Sequence, residues 1–252
     1  MLDRKTAPHI TDATDFNLSL KPYTHFTLDN GVPVYAINAG AQDVLQIELV
    51  FYAGNFFEKN KGVAAATNYL LKNGTLSRTA LELNEAFEYY GASCSRACYS
   101  ETAVLSLHTL SKHTEKLLPV MKDMLTEANF LKEELDIFVQ NTKQRLTVNL
   151  QKCEFIAGRK IDQVLYGEDH PYGTFTDAPD LDLLSAEQLK DFYTQYYITG
   201  QCAIFIAGKL PGNYAEMLNE NFGKLTLTKP SFNLLKIKTN PAPEKKYRIQ
   251  ND

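Results

Sequence analysis

Short stretches in which apolar and polar residues alternate recur along the chain and predict β-strands. The first two stretches flank Asp29-Asn30-Gly31, and an Asn-Gly pair between alternating segments is a strong signal for a β-hairpin. The third stretch is apolar enough near its end to be buried on both faces. We therefore predict six strands, at about 23–29, 32–38, 43–53, 92–99, 102–110 and 201–208.

Between the strands, apolar residues recur every three to four positions, which predicts amphipathic helices. Thr79 is a suitable N-cap and Gly91 a suitable stop for one helix, and Ser185-Ala-Glu-Gln has the capping-box pattern at the start of another. Helices on one side of a mostly antiparallel sheet define the α+β class, which we predict here. The predicted helices lie at about 61–73, 80–90, 113–128, 132–149 and 158–167, from Ser185 onward, and up to Leu225.

The amino-acid composition of the chain changes near each end. We predict an N-terminal extension at 1–22, one α+β domain at 23–228, and a linker at 229–252, where three prolines stand among lysines. A length of 252 residues with 44% apolar and 22% charged residues is ample for one large core.

Charge and hydropathy exclude several classes of protein. The net charge is only -4 and the basic residues form no stripe, so nucleic-acid binding is not expected. No apolar run approaches the roughly 18–20 residues of a membrane span. Asp3, Pro8 and Asp12 interrupt the place where a secretory signal would have its apolar core, so we expect a cytoplasmic protein.

The four cysteines fit a reducing compartment. Cys94 and Cys98 are four positions apart on one predicted strand, which is too far for a disulfide. Cys153 and Cys202 are expected to be buried thiols. A metal site formed by Cys94, Cys98 and His108 is conceivable, but ordinary packing is the favoured interpretation.

The most informative segment is Gly62-Val-Ala-Ala-Ala-Thr-Asn-Tyr-Leu-Leu-Lys-Asn-Gly-Thr75. Its glycine, small third residue, apolar run and closing Gly-Thr resemble the segment that carries the inverted zinc motif H-x-x-E-H in the insulinase/pitrilysin peptidases. In that resemblance Ala65 stands for the first ligand His, Asn68 for the general-base Glu and Tyr69 for the second ligand His. Ala65 has no donor atom, Asn68 cannot accept a proton, and a phenol ionises only near pH ~10.

The family's third zinc ligand is a Glu on a later helix. The segment Glu133 to Leu146 resembles that helix, and the ligand position falls on Asn141, with Glu134 about two turns earlier near the helix start. All four residues of the family's catalytic set are then replaced, so the resemblance implies no catalytic residue, no bound metal and no cofactor.

Two further segments support the resemblance. Residues 164–210 contain Tyr-Gly, then His170-Pro-Tyr-Gly, then a Leu-Ser-x-Glu-x-Leu-x-x-Phe-Tyr helix and an apolar strand that ends in Gly. Residues 26–35 resemble the family's opening strand and turn. The matches lie in the right order over about 23–210, and they imply that the linker leads toward a second, similar domain absent from this chain.

The resemblance implies a non-catalytic zinc-peptidase homologue. Our favoured interpretation is the inactive subunit of a heterodimeric peptidase, which helps a zinc-bearing paralogue to enclose and bind peptides, as in the mitochondrial processing peptidase. The alternative is a structural or assembly scaffold, as among the respiratory-complex core proteins, and the least favoured is an active zinc metallopeptidase. A homodimer in isolation is also open, because a surface built to face a partner would be apolar.

Overall fold

A computed structural model describes residues 19–231, and these residues form one mixed sheet covered by helices. The strand order is β1-β2-β6-β3-β5-β4, and every neighbouring pair is antiparallel except β2 and β6, which are parallel. The strands are β1 Thr24–Thr27, β2 Pro33–Asn38, β3 Val44–Phe51, β4 Ser93–Cys98, β5 Ala103–Leu110 and β6 Cys202–Gly208.

Eight α-helices connect these strands within the described residues. Thr79 is the N-cap of its helix and Ser185 forms a capping box, both as predicted. The Thr79 cap is also a capping box, because each side chain accepts a backbone N–H while the third helical residue bonds back to the cap. The helices are α1 Val63–Leu70, α2 Ala80–Glu88, α3 Thr114–Thr126, α4 Lys132–Asn149, α5 Cys153–Tyr166, α6 Ala178–Asp182, α7 Ala186–Tyr193 and α8 Tyr214–Phe222.

The predicted hairpin, the other strands and most of the helices are confirmed, with three corrections. Helix α5 begins at Cys153 instead of Gly158, because a single glycine inside a helix costs only about 1 kcal/mol. Helix α6 lies outside the predicted helices, and it forms because Asp177 and Asp180 make a capping box with proline in the first turn. Cys153 is exposed at the start of α5, so its predicted burial is wrong, whereas Cys202 is buried.

The two faces of the sheet differ in burial. Leu45, Ile47, Leu49 and Phe51 of β3 are all fully or nearly fully buried, whereas the residues that alternate with them are half-buried or exposed. The core therefore lies between this face and the helices, of which α1 packs on β4 and β5. This arrangement confirms the predicted α+β class with a mostly antiparallel sheet.

The ends of the chain fall outside the described part. Residues 1–18 of the predicted extension and 232–252 of the predicted linker are not described, so the predicted division at 22 and 228 stays a prediction. Between 19 and 231, no helix has the length and apolar character needed to cross a membrane.

Candidate functional site

Helix α1 carries the segment that resembles the family's zinc motif, and it begins after Gly62, a position that favours glycine. Gly62 has φ +88°, a left-handed conformation that other residues adopt with strain. The Glu58 carboxylate accepts the backbone N–H of Gly62 at 3.1 Å and of Ala64 at 2.9 Å, which satisfies two of the free donors of the first turn. Burial raises the pKa of Glu58, and these two hydrogen bonds offset part of that rise.

One face of α1 lines a pocket of about 310 Å³. Ala65, Asn68 and Tyr69 follow the i, i+3, i+4 spacing of a helix face, and all three lie on this pocket. The structure thus brings together the three predicted motif positions. The opposite walls come from β4, with Arg96 and Cys98, and from α4 and the segment before α7, with Phe138, Thr142, Arg145, Thr176 and Leu181.

The fourth predicted position, Asn141, lies beside this pocket without lining it. Its side chain is exposed on α4, and the next residue, Thr142, faces the pocket instead. Glu134, near the start of α4, is half-buried and accepts a hydrogen bond from Asn73 Nδ2 at 2.7 Å. The assignment of Asn141 to the third ligand position stays a prediction.

Tyr69 is held between two side chains of the pocket. Its ring centroid lies 5.1 Å from that of Phe138, and the Arg96 guanidinium carbon lies 4.5 Å from the centre of the same ring. Arg96 Nη1 also donates to the Tyr69 carbonyl and, at 2.8 Å, to Asn73 Oδ1. A cation over an aromatic face is a favourable contact of about 0.5–2 kcal/mol. These contacts fix the guanidinium at the pocket wall.

Arg96 reaches this place because of the strand register. It pairs with Leu105 of β5, and Leu105 faces the core, so Arg96 also points toward the helices. Burial lowers the pKa of Arg96 from its ordinary value, although a guanidinium remains charged at any physiological pH. Arg96 was not among the site residues predicted from the sequence. Its only local signal is a charge at an inward position between Cys94 and Cys98.

Asn68 is 2% exposed, and its amide nitrogen has no hydrogen-bond partner of normal geometry among residues 19–231. The amide lies toward the hydroxyl of Tyr197, which likewise has none in that range. Burial raises the pKa of Tyr197 well above its ordinary value, with the neighbouring Cys98 adding to the rise and the Asn68 amide opposing it. Both groups are therefore neutral polar groups in the core.

Cys98 is held as a neutral thiol. Its Sγ donates to Asn55 Oδ1 at 3.4 Å, and burial together with the charge of Glu58 raises its pKa to about 12. Cys94 faces the core as Cys98 does, whereas His108 pairs with Ser93 on the opposite face of the sheet. In the described part of the chain, no group of three His, Cys, Asp or Glu side chains is placed to hold a metal ion.

The residues of the pocket do not fit a zinc ion. Zinc in proteins takes imidazole, thiolate or carboxylate ligands. The described pocket lining holds no imidazole and no carboxylate, and its thiol, Cys98, has a pKa raised to about 12, which keeps it protonated. Ala65 offers no donor, Tyr69 has its ring packed between Phe138 and Arg96, and the Arg96 charge would repel a cation. What the pocket does offer is positive charge, hydroxyl groups and an apolar wall.

Comparisons with known proteins bear on the family of this chain. The sequence profile of Insulinase (Peptidase family M16) matches residues 34–167. An uncharacterised zinc protease of Rickettsia felis is 22% identical over 187 residues, which cover 73% of this chain and 45% of that protein. The probable zinc protease PqqL of Haemophilus influenzae is 24% identical over 240 residues, covering 86% of this chain and 26% of that protein. The chain therefore spans less than half the length of these relatives.

Solved structures share the fold. A crystal structure of a peptidase M16 inactive domain from Pseudomonas fluorescens has a TM-score of 0.76 at 23% identity, covering 83% of this chain and 52% of that one. The first half of the periplasmic protease PqqL from Escherichia coli has a TM-score of 0.73 at 17% identity, covering 86% of this chain and 49% of that one. Since the family profile covers more than half of the sequence, the chain belongs to the insulinase family, peptidase family M16.

Proposed function

We propose that this chain is a non-catalytic member of the family that binds peptides as the inactive half of a peptidase, beside a zinc-bearing relative. The observation that carries this proposal is the α1 pocket. There Ala65, Asn68 and Tyr69 stand together where the family resemblance places two zinc ligands and a general base, and the Arg96 guanidinium lies against the ring of Tyr69.

A peptide-binding role is supported by the free edge of the sheet. Strand β4, Ser93–Cys98, is the last strand in the order, and no other described strand pairs with its outer side. An extended peptide can add to such an edge through main-chain hydrogen bonds. Two inward residues of β4, Arg96 and Cys98, line the α1 pocket, so a peptide on this edge would run past the pocket.

The pairing with a zinc-bearing relative is supported by the family and by coverage. Relatives of this chain are called zinc proteases, and one solved neighbour is described as an inactive domain. This chain matches only about half of that neighbour. If this half has no catalytic residues of its own, another domain or subunit has to supply them.

The test is affinity capture of the full-length tagged protein from its native cells, followed by zinc analysis and a peptide-cleavage assay on the eluate. We expect a co-purifying zinc-bearing relative, and cleavage that the isolated chain lacks. An eluate with no zinc-bearing relative, no zinc and no peptide cleavage would favour the structural or assembly scaffold instead. Stoichiometric zinc and cleavage by the chain alone would overturn the proposal. Size-exclusion chromatography of the isolated chain separates a heterodimer subunit from a homodimer.

A cytoplasmic location is part of the same proposal. It is supported by the free cysteines Cys94, Cys98, Cys153 and Cys202, which fit a reducing compartment. The structural neighbour PqqL is described as periplasmic, so the compartment has to be measured. Cell fractionation with an antibody against the native protein decides it, and recovery outside the cytoplasm would contradict this part.

A further inference from the structure

We propose that the α1 pocket is a carboxylate-binding site, which receives a carboxylate of the bound peptide between Arg96 and Arg145. This inference rests on the proposed peptide-binding function and names the chemical group that the pocket recognises. Its starting point is that the pocket contains two guanidinium groups and no carboxylate among its described lining residues.

The first guanidinium, that of Arg96, is held in place by its contacts, and only one of its three nitrogens donates hydrogen bonds to described residues. Both hydrogen bonds of Arg96 to described residues are donated by Nη1, so Nε and Nη2 have no acceptor there. The guanidinium carbon lies 4.5 Å from the centre of the Tyr69 ring, and this contact restricts its position. A guanidinium with two free, parallel N–H groups is the arrangement that binds a carboxylate with two hydrogen bonds.

The second guanidinium has no partner in the described part of the chain. Arg145 makes no ion pair or hydrogen bond with any residue of 19–231, although it lines the pocket one turn after Thr142 on α4. The neighbouring Lys143, by contrast, is paired with Asp182. Two arginines on one concave surface attract an anion, and the attraction is stronger in a partly enclosed pocket than in open solvent.

The carboxylates of Glu58 and Glu134 lie outside the pocket lining. Glu58 is turned toward the backbone of α1, where it accepts the N–H groups of Gly62 and Ala64. Glu134 accepts a hydrogen bond from Asn73, which lies behind Arg96 and outside the pocket lining. The charged side chains that line the described pocket are therefore the two guanidinium groups.

The remaining walls fit an amino-acid residue that carries the carboxylate. Thr142 and Thr176 line the pocket, and neither hydroxyl is hydrogen-bonded to a described residue. Ala65, Phe138 and Leu181 supply an apolar wall for aliphatic carbons. A volume of about 310 Å³ accommodates one residue of a peptide and not a whole chain. The carboxylate is therefore a peptide C-terminus or the side chain of an acidic residue.

The experiment measures binding of amino-terminally labelled decapeptide libraries to the full chain by fluorescence anisotropy. Three libraries are compared: free-acid peptides without Asp or Glu, their carboxy-terminal amides, and amides that contain Asp and Glu. We expect one carboxylate-bearing library to bind at least ~10-fold more tightly than the neutral amides, which corresponds to about 1.4 kcal/mol. The library that binds more tightly identifies the bound carboxylate as the peptide C-terminus or as an acidic side chain.

The variant Arg145→Gln tests the pocket, because an exposed side chain is removed without disturbing the core. We expect it to abolish most of the ~10-fold preference. Lys116→Gln, an exposed residue of α3 that does not line the pocket, makes the same charge change and leaves the preference intact. Arg96→Lys keeps the charge but loses the planar fork, and we expect a partial loss.

The outcomes separate the two proposals. Equal binding of all three libraries, with no effect of Arg145→Gln, overturns the carboxylate site while peptide binding stands. If no library binds, N-acetylglycine is titrated into the isotope-labelled chain and followed by NMR. If the resonances of Thr142 shift in the original chain and not in Arg145→Gln, the carboxylate site is supported and the peptide-binding function is overturned. If no resonance shifts, both proposals are overturned.

Discussion

The Arg96 charge beside α1 should oppose any attempt to rebuild a zinc site in this chain. The rebuilding variant carries Ala65→His, Asn68→Glu, Tyr69→His and Asn141→Glu, which restore the ligand and base types of the family at the positions that the resemblance assigns. Its partner variant adds Arg96→Gln. The comparison of the two isolates the effect of the guanidinium on metal binding.

The magnitude follows from the observed geometry. The Arg96 guanidinium carbon lies 4.5 Å from the centre of the Tyr69 ring. An imidazole at this position binds zinc about 2 Å beyond its nitrogen, which places the ion roughly 6 Å from the guanidinium. The repulsion between charges of +2 and +1 at this distance is about 5 kcal/mol at an effective dielectric constant of ~20. Solvent screening and rotation of the half-buried side chain reduce this to about 1.5–3 kcal/mol, or roughly 10–100-fold in affinity.

The assay is a competition titration of zinc against a chelator of known affinity, with circular dichroism to verify that each variant is folded. We expect the variant with Arg96→Gln to bind zinc roughly 10–100-fold more tightly than the one that keeps Arg96. Equal affinities would refute the argument that Arg96 sets the charge of the pocket. A third variant with Thr142→Glu in place of Asn141→Glu tests the register on α4, and tighter zinc binding by that variant would contradict the assignment of Asn141.

Three further predictions concern stability. Tyr193→Phe should lower the free energy of unfolding by about 1–3 kcal/mol, because the Tyr193 hydroxyl donates to the buried Leu125 carbonyl at 2.8 Å. Tyr197→Phe should leave the free energy of unfolding unchanged or raise it, because that buried hydroxyl has no partner of normal geometry among residues 19–231. Urea denaturation that ranks the two variants the other way would contradict this. Thr79→Ala should cost about 1 kcal/mol through loss of the capping box of α2, as measured by thermal unfolding, whereas Thr79→Ser keeps the cap. Burial raises the pKa of Glu58 in the folded state, so the folded chain binds this proton more tightly than the unfolded chain does. The free energy of unfolding therefore falls as the pH rises just above the ordinary carboxyl pKa of 4.5. Glu58→Gln should flatten that fall, and an unchanged pH profile of stability would contradict this prediction.

The sequence alone was sufficient for the local elements and for the family. Alternation in 43–53, the Asn30-Gly31 turn and the capping pattern at Ser185 are short-range signals, because they depend on side-chain direction and backbone donors within a few residues. The motif positions Ala65, Asn68 and Tyr69 follow from the same short segment. Gly158 and the Asp177 capping box show the limit of such signals, since one glycine does not end a helix and two aspartates can start one.

Only the tertiary structure decided what surrounds those positions. Strand β6 lies between β2 and β3, and no local pattern specifies that insertion or its parallel pairing with β2. Arg96 stacks on Tyr69, 27 positions earlier, and Arg145 joins the same pocket from α4. These contacts are long-range, so they depend on strand register and helix packing together and not on any one segment. The sequence by itself placed Ala65, Asn68 and Tyr69 at the positions that the resemblance assigns to two zinc ligands and a general base. The packing of β4 and α4 against α1 decided that Arg96 and Arg145 line the same pocket as these three residues.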